Sequence, residues 1–395
     1  MQPVVIVGAG MAAYAVAREL RKRDQATPLR IVASDAAAAY SKPMLSNAVA
    51  LGKAPAALVA QDADRMAAQL GAEILSGVTV TAIDTAAGVL RTGGGALPYG
   101  RLVLAVGAQP IRLPLEGDAA HEVLSVNHLH DYAVLRRRLD ALGRPARVVI
   151  LGGGLIGCEF ADDLQAGGHA ITLVDPNPRL LAALAAPSLS AGLARAWEGS
   201  GVALRLGTVA SGVDHGAATA EPAARQGLRV RLADGGVLEA DLVLSAVGLR
   251  PNLALAQAAG LATARGILVD RYGATSAPNV YALGDCAEYT TGGGRAVLPF
   301  VAPLLAAARA IGASLAGEPA AIALGPEPVV VKTPSYRLAL LPPPPAIEGA
   351  WQDSIEGERT VARFVDRSGA VRGFGLSHPT PALRHSLLAE LQQGF

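Results

Sequence analysis

Two glycine-rich turns, each between an apolar strand pattern and a helix pattern, constrain the fold of this chain more than any other feature. The first follows the apolar run 4–7 and starts at Gly8; the second follows 148–151 and starts at Gly152. A second strand pattern completes each unit, over 29–33 and over 170–174. This order of elements is typical of dinucleotide-binding units. The sequence therefore predicts an α/β chain with two Rossmann-like domains.

The residues of the first turn have separate physical roles. Gly8 permits the tight turn, and Gly10 lets the backbone approach a pyrophosphate at the helix N-terminus. The third position of the pattern is Ala13, which still allows the helix to pack closely on the strand. Asp35 follows the second strand, where a carboxylate binds ribose hydroxyls. The alternative is a simple strand-to-helix connection with Asp35 as a solvated loop acid.

The second turn has the full glycine spacing, with Gly152, Gly154 and Gly157. Asp175 follows its second strand, and an acid at this place binds the adenosine ribose and repels a 2′-phosphate. The second unit is therefore predicted to prefer NAD over NADP. Arg179 could weaken that preference, but we interpret it as a solvated surface residue.

Three domains are expected from the 395 residues, a length above that of one domain. Strand patterns at 102–105 and 242–246 lead into Gly-x-x-Pro turns at Gly107 and Gly248, which indicate returns of the chain to each sheet. The first nucleotide domain is predicted at 1–112 and 245–325, and the second at 113–244. Short strands and a last helix predict a small α+β C-terminal domain at 326–395. The polar, Ala-rich segment 217–226 is interpreted as a surface loop.

Charge and hydropathy exclude several functions. Lys plus Arg (34) nearly cancel Asp plus Glu (33), so no overall field favours nucleic acid or an anionic membrane. The mean hydropathy of +0.35 reflects abundant Ala, and Arg309 interrupts the longest apolar stretch, which we interpret as a buried helix. The first residues enter a strand pattern directly, without a leader pattern, so a cytoplasmic protein is expected.

Cysteine and histidine are too sparse for a redox pair or a metal site. Cys158 and Cys286 are the only cysteines and lie far apart in sequence. His128 and His130 have no further ligand at metal-site spacing. We therefore expect neither a metal site nor disulfide chemistry.

Two nucleotide sites imply a hydride donor and an acceptor, and a flavin is the plausible electron sink. The segment 279–287, Asn-Val-Tyr-Ala-Leu-Gly-Asp-Cys-Ala, resembles the late FAD-binding motif of the pyridine nucleotide-disulfide oxidoreductase superfamily. The segments 105–108 and 245–248 resemble its two Ala-Thr-Gly motifs, with Val in place of Thr. The resemblance implies FAD in the first unit, NADH in the second, and Asp285 on the ribityl chain.

The segment 40–46, Tyr-Ser-Lys-Pro-Met-Leu-Ser, resembles the flavin-facing loop of the rubredoxin reductase family, and segments 157–164, 245–251 and 331–334 are similar too. This resemblance implies hydride transfer from NADH to FAD, followed by one-electron release to rubredoxin as the partner protein. The segment 40–46 contains no Cys, which excludes dihydrolipoamide-type and glutathione-type chemistry.

The same resemblance implies the catalytic residues. Lys42 would lie near the reactive edge of the flavin, paired with Glu159, and a cation there would stabilise reduced flavin. The alternatives are a solvated Lys and a helix-capping acid. A helix from about 302 would direct its N-terminus at the flavin, with Pro303 in its first turn. Lys332 could approach the flavin or the partner protein. The predicted cofactor-binding set is Gly8, Gly10, Ala13, Asp35, Lys42, Pro43, Val80, Gly107, Gly152, Gly154, Gly157, Glu159, Asp175, Gly248, Asp285, Pro303 and Lys332.

Three alternatives remain open at this point. A ferredoxin reductase of an oxygenase system or an NADH oxidase would share both sites. A flavoprotein that senses NADH and acts by binding partner proteins would also have both nucleotide sites. A scaffold with a degenerate FAD site is opposed by the presence of Gly8, Gly10, Asp35 and Asp285.

Overall fold

A computed structural model describes residues 2–216 and 227–393 of the chain. The predicted surface loop at 217–226 lies outside these residues. The chain forms two compact units. The first contains Met1–Ser41, Ala56–Gln109 and Leu249–Gly325, and the second contains Lys42–Pro55, Pro110–Gly248 and Pro326–Phe395.

The helices are amphipathic or largely buried segments, in chain order: α1 (Met11–Arg21), α2 (Ala63–Leu70), α3 (Leu129–Asp140), α4 (Leu155–Ala166), α5 (Pro187–Ala196), α6 (Ala254–Ala258), α7 (Val301–Leu315) and α8 (Pro381–Gln393). The strands are short, in chain order: β1 (Val4–Val7), β2 (Leu29–Val32), β3 (Ala39–Tyr40), β4 (Val59–Gln61), β5 (Ala72–Leu75), β6 (Val80–Asp84), β7 (Val89–Thr92), β8 (Gly95–Pro98), β9 (Arg101–Leu104), β10 (Ala108–Pro110), β11 (Arg147–Leu151), β12 (Ala170–Asp175), β13 (Val202–Leu206), β14 (Ala210–His215), β15 (Leu228–Leu232), β16 (Val237–Ala240), β17 (Leu242–Ser245), β18 (Leu249–Pro251), β19 (Ile267–Leu268), β20 (Val280–Ala282), β21 (Ala287–Thr291), β22 (Gly294–Val297), β23 (Val329–Val331), β24 (Leu338–Leu341), β25 (Gly349–Glu356), β26 (Arg359–Asp366) and β27 (Val371–Ser377).

The first unit is built on a five-stranded parallel sheet in the order β20-β9-β1-β2-β5. Its central strand β1 is buried along its whole length, as expected of a strand covered on both faces. Helices α1 and α7 pack together against this sheet within one hydrophobic core. Two small antiparallel sheets, β6-β7-β8 and β3-β4, belong to the same unit.

The second unit contains a four-stranded parallel sheet in the order β13-β12-β11-β17. An antiparallel sheet of β14, β15 and β16 encloses a further core with residues of β11 and β17. The glycine turn between β11 and α4 therefore lies at the carboxyl edge of a parallel sheet, where doubly wound folds bind their ligands.

The C-terminal part of the second unit is an antiparallel sheet in the order β23-β24-β27-β26-β25. Helix α8 packs on β27, and its apolar residues share a core with Phe374 and Leu376. The second compact unit thus includes both the second nucleotide sheet and this sheet. The three-domain boundaries drawn from the sequence stay a prediction.

The predicted fold class is confirmed: both parallel sheets carry a glycine turn after the first strand, and an α+β region follows. The apolar stretch around Arg309 forms α7, whose alanines are mostly buried while Arg309 is exposed. Throughout residues 2–216 and 227–393, no helix is both long and apolar enough to cross a membrane.

Candidate functional site

The first glycine turn, between β1 and α1, has the geometry of a phosphate cradle. Gly8 has a φ of +107°, and a Cβ there would lie 2.3 Å from the Ala105 carbonyl oxygen, so only glycine fits. Gly10 is the N-cap of α1, and a Cβ built on it meets nothing within 4 Å. The helix N-terminus is therefore open to an approaching group, and the fit to a pyrophosphate is good.

Asp35 lies just after β2 and is exposed, so its carboxylate is accessible to a ribose hydroxyl. Its Oδ1 accepts a hydrogen bond of 2.9 Å from the Ala37 amide. Tyr14 of α1 donates to the Ala37 carbonyl, and burial together with the charge of Asp35 raises the pKa of Tyr14 to about 12. These contacts fix the loop that carries Asp35, whose ribose contact stays a prediction.

Two further turns of the first unit carry predicted flavin residues. Gly284, with a φ of +75°, donates from its amide to the Tyr289 hydroxyl at 2.9 Å and so fixes the turn that presents Asp285. Gly107 has a φ of +64°, and the Asn252 amide donates to its carbonyl at 3.0 Å. Tyr289 and Asn252 were not recognised from the sequence, because their contacts arise only in the folded chain.

Three further residues of this unit were predicted to bind the cofactor, and each has a position in the packing of the core or at the start of a helix. Ala13 is fully buried on the inner face of α1. Val80 is a half-buried residue of β6 that packs against the core of the unit. Pro303 is the third residue of α7, within its first turn, as the sequence predicted.

The second turn, between β11 and α4, leaves no room for a side chain at two of its glycines. A Cβ on Gly152, whose φ is +110°, would lie 2.6 Å from the Ala246 carbonyl oxygen. A Cβ on Gly157 would lie 1.8 Å from the Gly152 carbonyl oxygen, whereas Gly154, the N-cap of α4, meets nothing within 4 Å. This turn also fits a pyrophosphate at an open helix N-terminus.

Asp175 ends β12 and is buried beside this turn. Its Oδ2 accepts from the Gly153 amide at 2.6 Å, and its Oδ1 accepts from the backbone and side-chain amides of Asn177, both at 2.8 Å. A carboxylate has about four acceptor positions, so it can still accept from a ribose hydroxyl.

Arg179 is not the solvated surface residue that the sequence indicated. It is half-buried, and its guanidinium donates to the carbonyls of Ala182 and Ala185 and to the Ser190 hydroxyl. Its donors are therefore used to hold the segment before α5 together. Gly248, with a φ of +111°, lies after β17, and its carbonyl accepts from the Ile111 amide at 3.1 Å.

Helix α4 carries three buried carboxylates, which is unusual because Asp and Glu are almost never fully buried unless they are paired. Glu159, Asp162 and Asp163 are 1%, 2% and 3% exposed. The spacing i, i+3 and i+4 places them on one face of the helix. That spacing within an otherwise apolar helix was the available sequence signal for Asp162 and Asp163, to which no role had been given.

Glu159 accepts from both the backbone and the side chain of Lys332. The Lys332 ammonium lies 2.7 Å from Glu159 Oε2, and the Lys332 amide lies 3.0 Å from Oε1. The same ammonium donates to the Pro43 carbonyl, to the Ser46 hydroxyl at 3.2 Å and to Asn47 Oδ1 at 2.8 Å. Ser46 in turn donates to Glu159 Oε2 at 2.5 Å. The structure thus joins three predicted site residues, Pro43, Glu159 and Lys332, in one cluster.

Lys42 begins the short 3₁₀ helix Lys42–Asn47, whose later residues contact this cluster. The sequence predicted that Lys42 pairs with Glu159, and that pairing stays a prediction. Lys332 lies at hydrogen-bonding distance from Glu159, and the sequence had placed this lysine near the flavin without naming this partner.

The features described so far define a class: an oxidoreductase with two dinucleotide sites and a separate C-terminal sheet. The family model for pyridine nucleotide-disulphide oxidoreductases matches residues 2–306, and the chain belongs to this family. A second model, for a rubredoxin binding C-terminal domain, matches residues 321–391.

Relatives narrow the family. The chain is 42% identical over 377 residues to a rubredoxin-NAD(+) reductase of Alcanivorax borkumensis, covering 95% of each chain. It is 40% identical over 398 residues to a rubredoxin-NAD(+) reductase of Acinetobacter baylyi, covering 99% of this chain and 98% of that one. The crystal structure of the ferredoxin reductase for the CYP199A2 system from Rhodopseudomonas palustris matches with a TM-score of 0.86 and 28% identity, over 98% of this chain and 93% of that one.

These findings confirm the predicted rubredoxin reductase family and its enzymatic nature. Members of the wider family use FAD and NAD(H), so the predicted cofactors are confirmed as well.

Proposed function

We propose that this protein takes a hydride from NADH and delivers electrons one at a time to rubredoxin. The observation that carries the proposal is the presence, in one chain, of two open glycine turns and a C-terminal region that matches a rubredoxin binding domain over residues 321–391. FAD, when bound, supplies the conversion of a two-electron donor into one-electron steps.

The first unit would hold FAD. Gly8 and Gly10 leave room for the pyrophosphate at the N-terminus of α1, and Asp35 would accept from the adenosine ribose. Asp285, on the turn fixed by Tyr289, would bind the ribityl hydroxyls. The other residues assigned to FAD are Ala13, Val80, Gly107 and Pro303.

The second unit would hold NADH. Gly152, Gly154 and Gly157 would accommodate its pyrophosphate at the N-terminus of α4. Gly248 is the remaining glycine assigned to NADH. Asp175 would bind the adenosine ribose and disfavour NADPH by charge repulsion. Arg179 donates to two carbonyls and a hydroxyl near its own position in the chain, and the donors used in these hydrogen bonds are not available to a 2′-phosphate, which supports that preference.

Lys42 and Lys332 are the cations that we assign to the flavin, with Lys42 and Glu159 as the catalytic pair. Glu159 is buried and would hold the positive charge of a lysine at a fixed place. A fixed cation stabilises the negative charge that reduced flavin carries, at no reorganisation cost during the reaction. Pro43 would support this arrangement through its carbonyl, which accepts from Lys332.

The test is stopped-flow reduction of the purified protein by NADH, followed by mixing with oxidised rubredoxin, ferredoxin or air-saturated buffer. We expect rapid bleaching of the flavin absorbance and faster reoxidation by rubredoxin than by the other two acceptors. Protein that does not become reduced by NADH would contradict the proposal.

A second candidate acceptor is ferredoxin, because a solved ferredoxin reductase matches 98% of this chain with a TM-score of 0.86. Faster reoxidation by ferredoxin than by rubredoxin would favour this candidate, and faster reoxidation by oxygen would indicate an NADH oxidase. A long-lived complex of reduced protein with NAD, reoxidised slowly by every acceptor, would favour the NADH-sensing alternative.

We also propose that the protein works in the cytoplasm. Both cysteines, Cys158 and Cys286, are buried free thiols, which suits a reducing compartment. Fractionation of the producing cells, with marker enzymes for periplasm and cytoplasm, tests this location. Activity released with the periplasmic marker would contradict it.

A further inference from the structure

The strongest unassigned feature is the pair of carboxylates that follows Glu159 on α4. Asp162 and Asp163 are almost fully buried, and burying a charge is costly unless it is well hydrogen-bonded. Neither belongs to the nucleotide turns or to the Lys332 ion pair. The groups that donate hydrogen bonds to each carboxylate therefore show which segment of the chain it stabilises.

Asp162 binds the segment that carries Lys332. Its carboxylate accepts from the Ser335 amide at 3.3 Å and from the Ser335 hydroxyl, while Oδ1 also accepts from the Trp197 indole at 2.8 Å. Ser335 is in the turn that follows Lys332, and the Thr333 hydroxyl closes this turn on the Tyr336 carbonyl at 2.7 Å. Asp162 thus fixes one end of a short segment whose other end is held by Glu159.

Asp163 binds the segment that begins at Lys42. Its two oxygens accept from the amides of Val49 and Ala50 at 2.9 and 3.0 Å. Burial raises the pKa of Asp163, an effect that these backbone hydrogen bonds oppose. The Tyr132 hydroxyl donates to the Lys53 carbonyl at 2.9 Å and holds the same segment from α3.

We infer that Asp162 and Asp163 are positioning residues, which hold the Lys332 and Lys42 segments in register with the helix that starts at the NADH turn. The inference rests on the proposed function, because it assigns the two lysines to the flavin. A reacting group is held in its productive geometry by the packing and hydrogen bonds of the residues that support it. One helix would thereby align both lysines with the NADH turn.

The first experiment measures the segments themselves, by hydrogen–deuterium exchange of the FAD-loaded protein. Asp162→Asn should speed amide exchange in peptides covering 329–337 and leave 43–52 unchanged. Asp163→Asn should show the reverse pattern. The substitution replaces one of the two oxygens that accept from backbone amides with an NH₂ group, which is a donor. Equal exchange in both variants and wild type would overturn the inference.

The second experiment measures coupling to Lys332 by stopped-flow flavin reduction. Asp162→Asn and Lys332→Met should each lower the limiting rate of reduction, by up to about 100-fold where a reacting group is displaced by about 1 Å. The double variant should be no slower than Lys332→Met alone, because the carboxylate acts through the lysine. Effects that multiply in the double variant would contradict a positioning role.

Two further variants separate this role from a loss of stability. Ser335→Ala removes a donor to Asp162 from an exposed residue and should give a smaller effect in the same direction. Asp241→Asn alters another buried acid of this unit, which binds Arg144 and Arg147, and should lower the unfolding midpoint without changing the limiting rate. A rate loss in Asp241→Asn equal to that in Asp162→Asn would contradict the inference.

The same cycle with Asp163→Asn and Lys42→Met tests the other segment. Retained FAD with a lower limiting rate, and no further loss in the double variant, is the expected result. If wild-type protein is not reduced by NADH, the proposed function fails, while the exchange patterns still decide whether the two acids position the segments.

Discussion

The two glycine turns of this chain have nearly the same backbone at their first position. Gly8 and Gly152 have φ values of +107° and +110°, and each approaches the carbonyl of an alanine, Ala105 or Ala246, that directly follows a neighbouring strand. Gly10 and Gly154 both leave open space at a helix N-terminus. The strand-to-helix geometry is therefore the same in a predicted FAD site and a predicted NADH site.

The turns differ at the third position and at the acid that follows. A Cβ on Gly157 would clash at 1.8 Å with the Gly152 carbonyl, whereas the first turn accommodates the buried methyl of Ala13. Asp175 is buried and holds the Gly153 amide, while Asp35 is exposed. The comparison shows that the third glycine is required only where the helix approaches the turn so closely that no methyl fits.

The largest effect should follow from Gly157→Ala. The clash is with backbone of the same turn, so either the helix or the turn must move, at a cost of about 1–3 kcal/mol. We expect the NADH dissociation constant to rise by about 5-fold to 140-fold, since about 1.4 kcal/mol corresponds to a factor of ten. Titration of the protein with NADH analogues, at constant FAD content, measures it.

Gly8→Ala is the reciprocal control, because its clash lies in the first unit. It should release FAD during gel filtration, whereas Gly157→Ala should retain it. FAD loss from Gly157→Ala would show that the two turns are not assigned to separate cofactors as proposed.

Asp175→Ala should have an effect of similar size. The substitution removes both the proposed ribose contact and the acceptor of the Gly153 amide. Removing a charged hydrogen-bond partner typically costs about 1.5–3 kcal/mol, so the Michaelis constant for NADH should rise by roughly tenfold or more. The preference for NADH over NADPH should narrow at the same time. Unchanged kinetics with both nucleotides would refute the assignment.

The sequence predicted what depends on local backbone geometry and on regular patterns. Both turns, the parallel sheets and the helix around Arg309 follow from glycine positions and apolar periodicity, which local physics largely determines. The pairing of Glu159 with Lys332 could not be predicted in the same way. Those residues are far apart in the chain, and nothing in either segment alone specifies its partner.

Asp162 and Asp163 show a second limit of sequence reasoning. A charged residue in a helix is usually solvated, so two adjacent acids indicate an exposed face unless their partners are known. Their partners are backbone amides, a serine and an indole from distant segments. Such contacts exist only after tertiary packing. Arg179 was misinterpreted for a different reason: its acceptors are local, and they are backbone carbonyls, which any residue type can supply.

Ala13→Gly tests the comparison from the opposite direction, with a smaller effect. It restores the third glycine of the first turn but removes a buried methyl and loosens a helix, at a cost of about 0.5–1 kcal/mol for the helix alone. We expect a lower unfolding midpoint and an unchanged FAD dissociation constant. Tighter FAD binding would mean that the alanine limits the first site, and that the two turns differ in more than helix distance.

The two thiols should give the smallest effect. Cys158 donates to the Gly153 carbonyl beside the second turn, and Cys286 donates to the Leu283 carbonyl beside the turn of Asp285. Burial raises the pKa of Cys286 to about 11, and burial with the charge of Asp175 raises that of Cys158. Thiolate forms only as the pH approaches these raised pKa values, so iodoacetamide at pH 9 should label neither thiol appreciably, although it labels an ordinary cysteine of pKa about 8.5. Mass spectrometry of the labelled protein, with its NADH-dependent dye reduction, tests this. Rapid labelling of one thiol with loss of activity would show that the turn beside it opens in solution. The two turns would then differ in local stability and not only in the ligand that each binds.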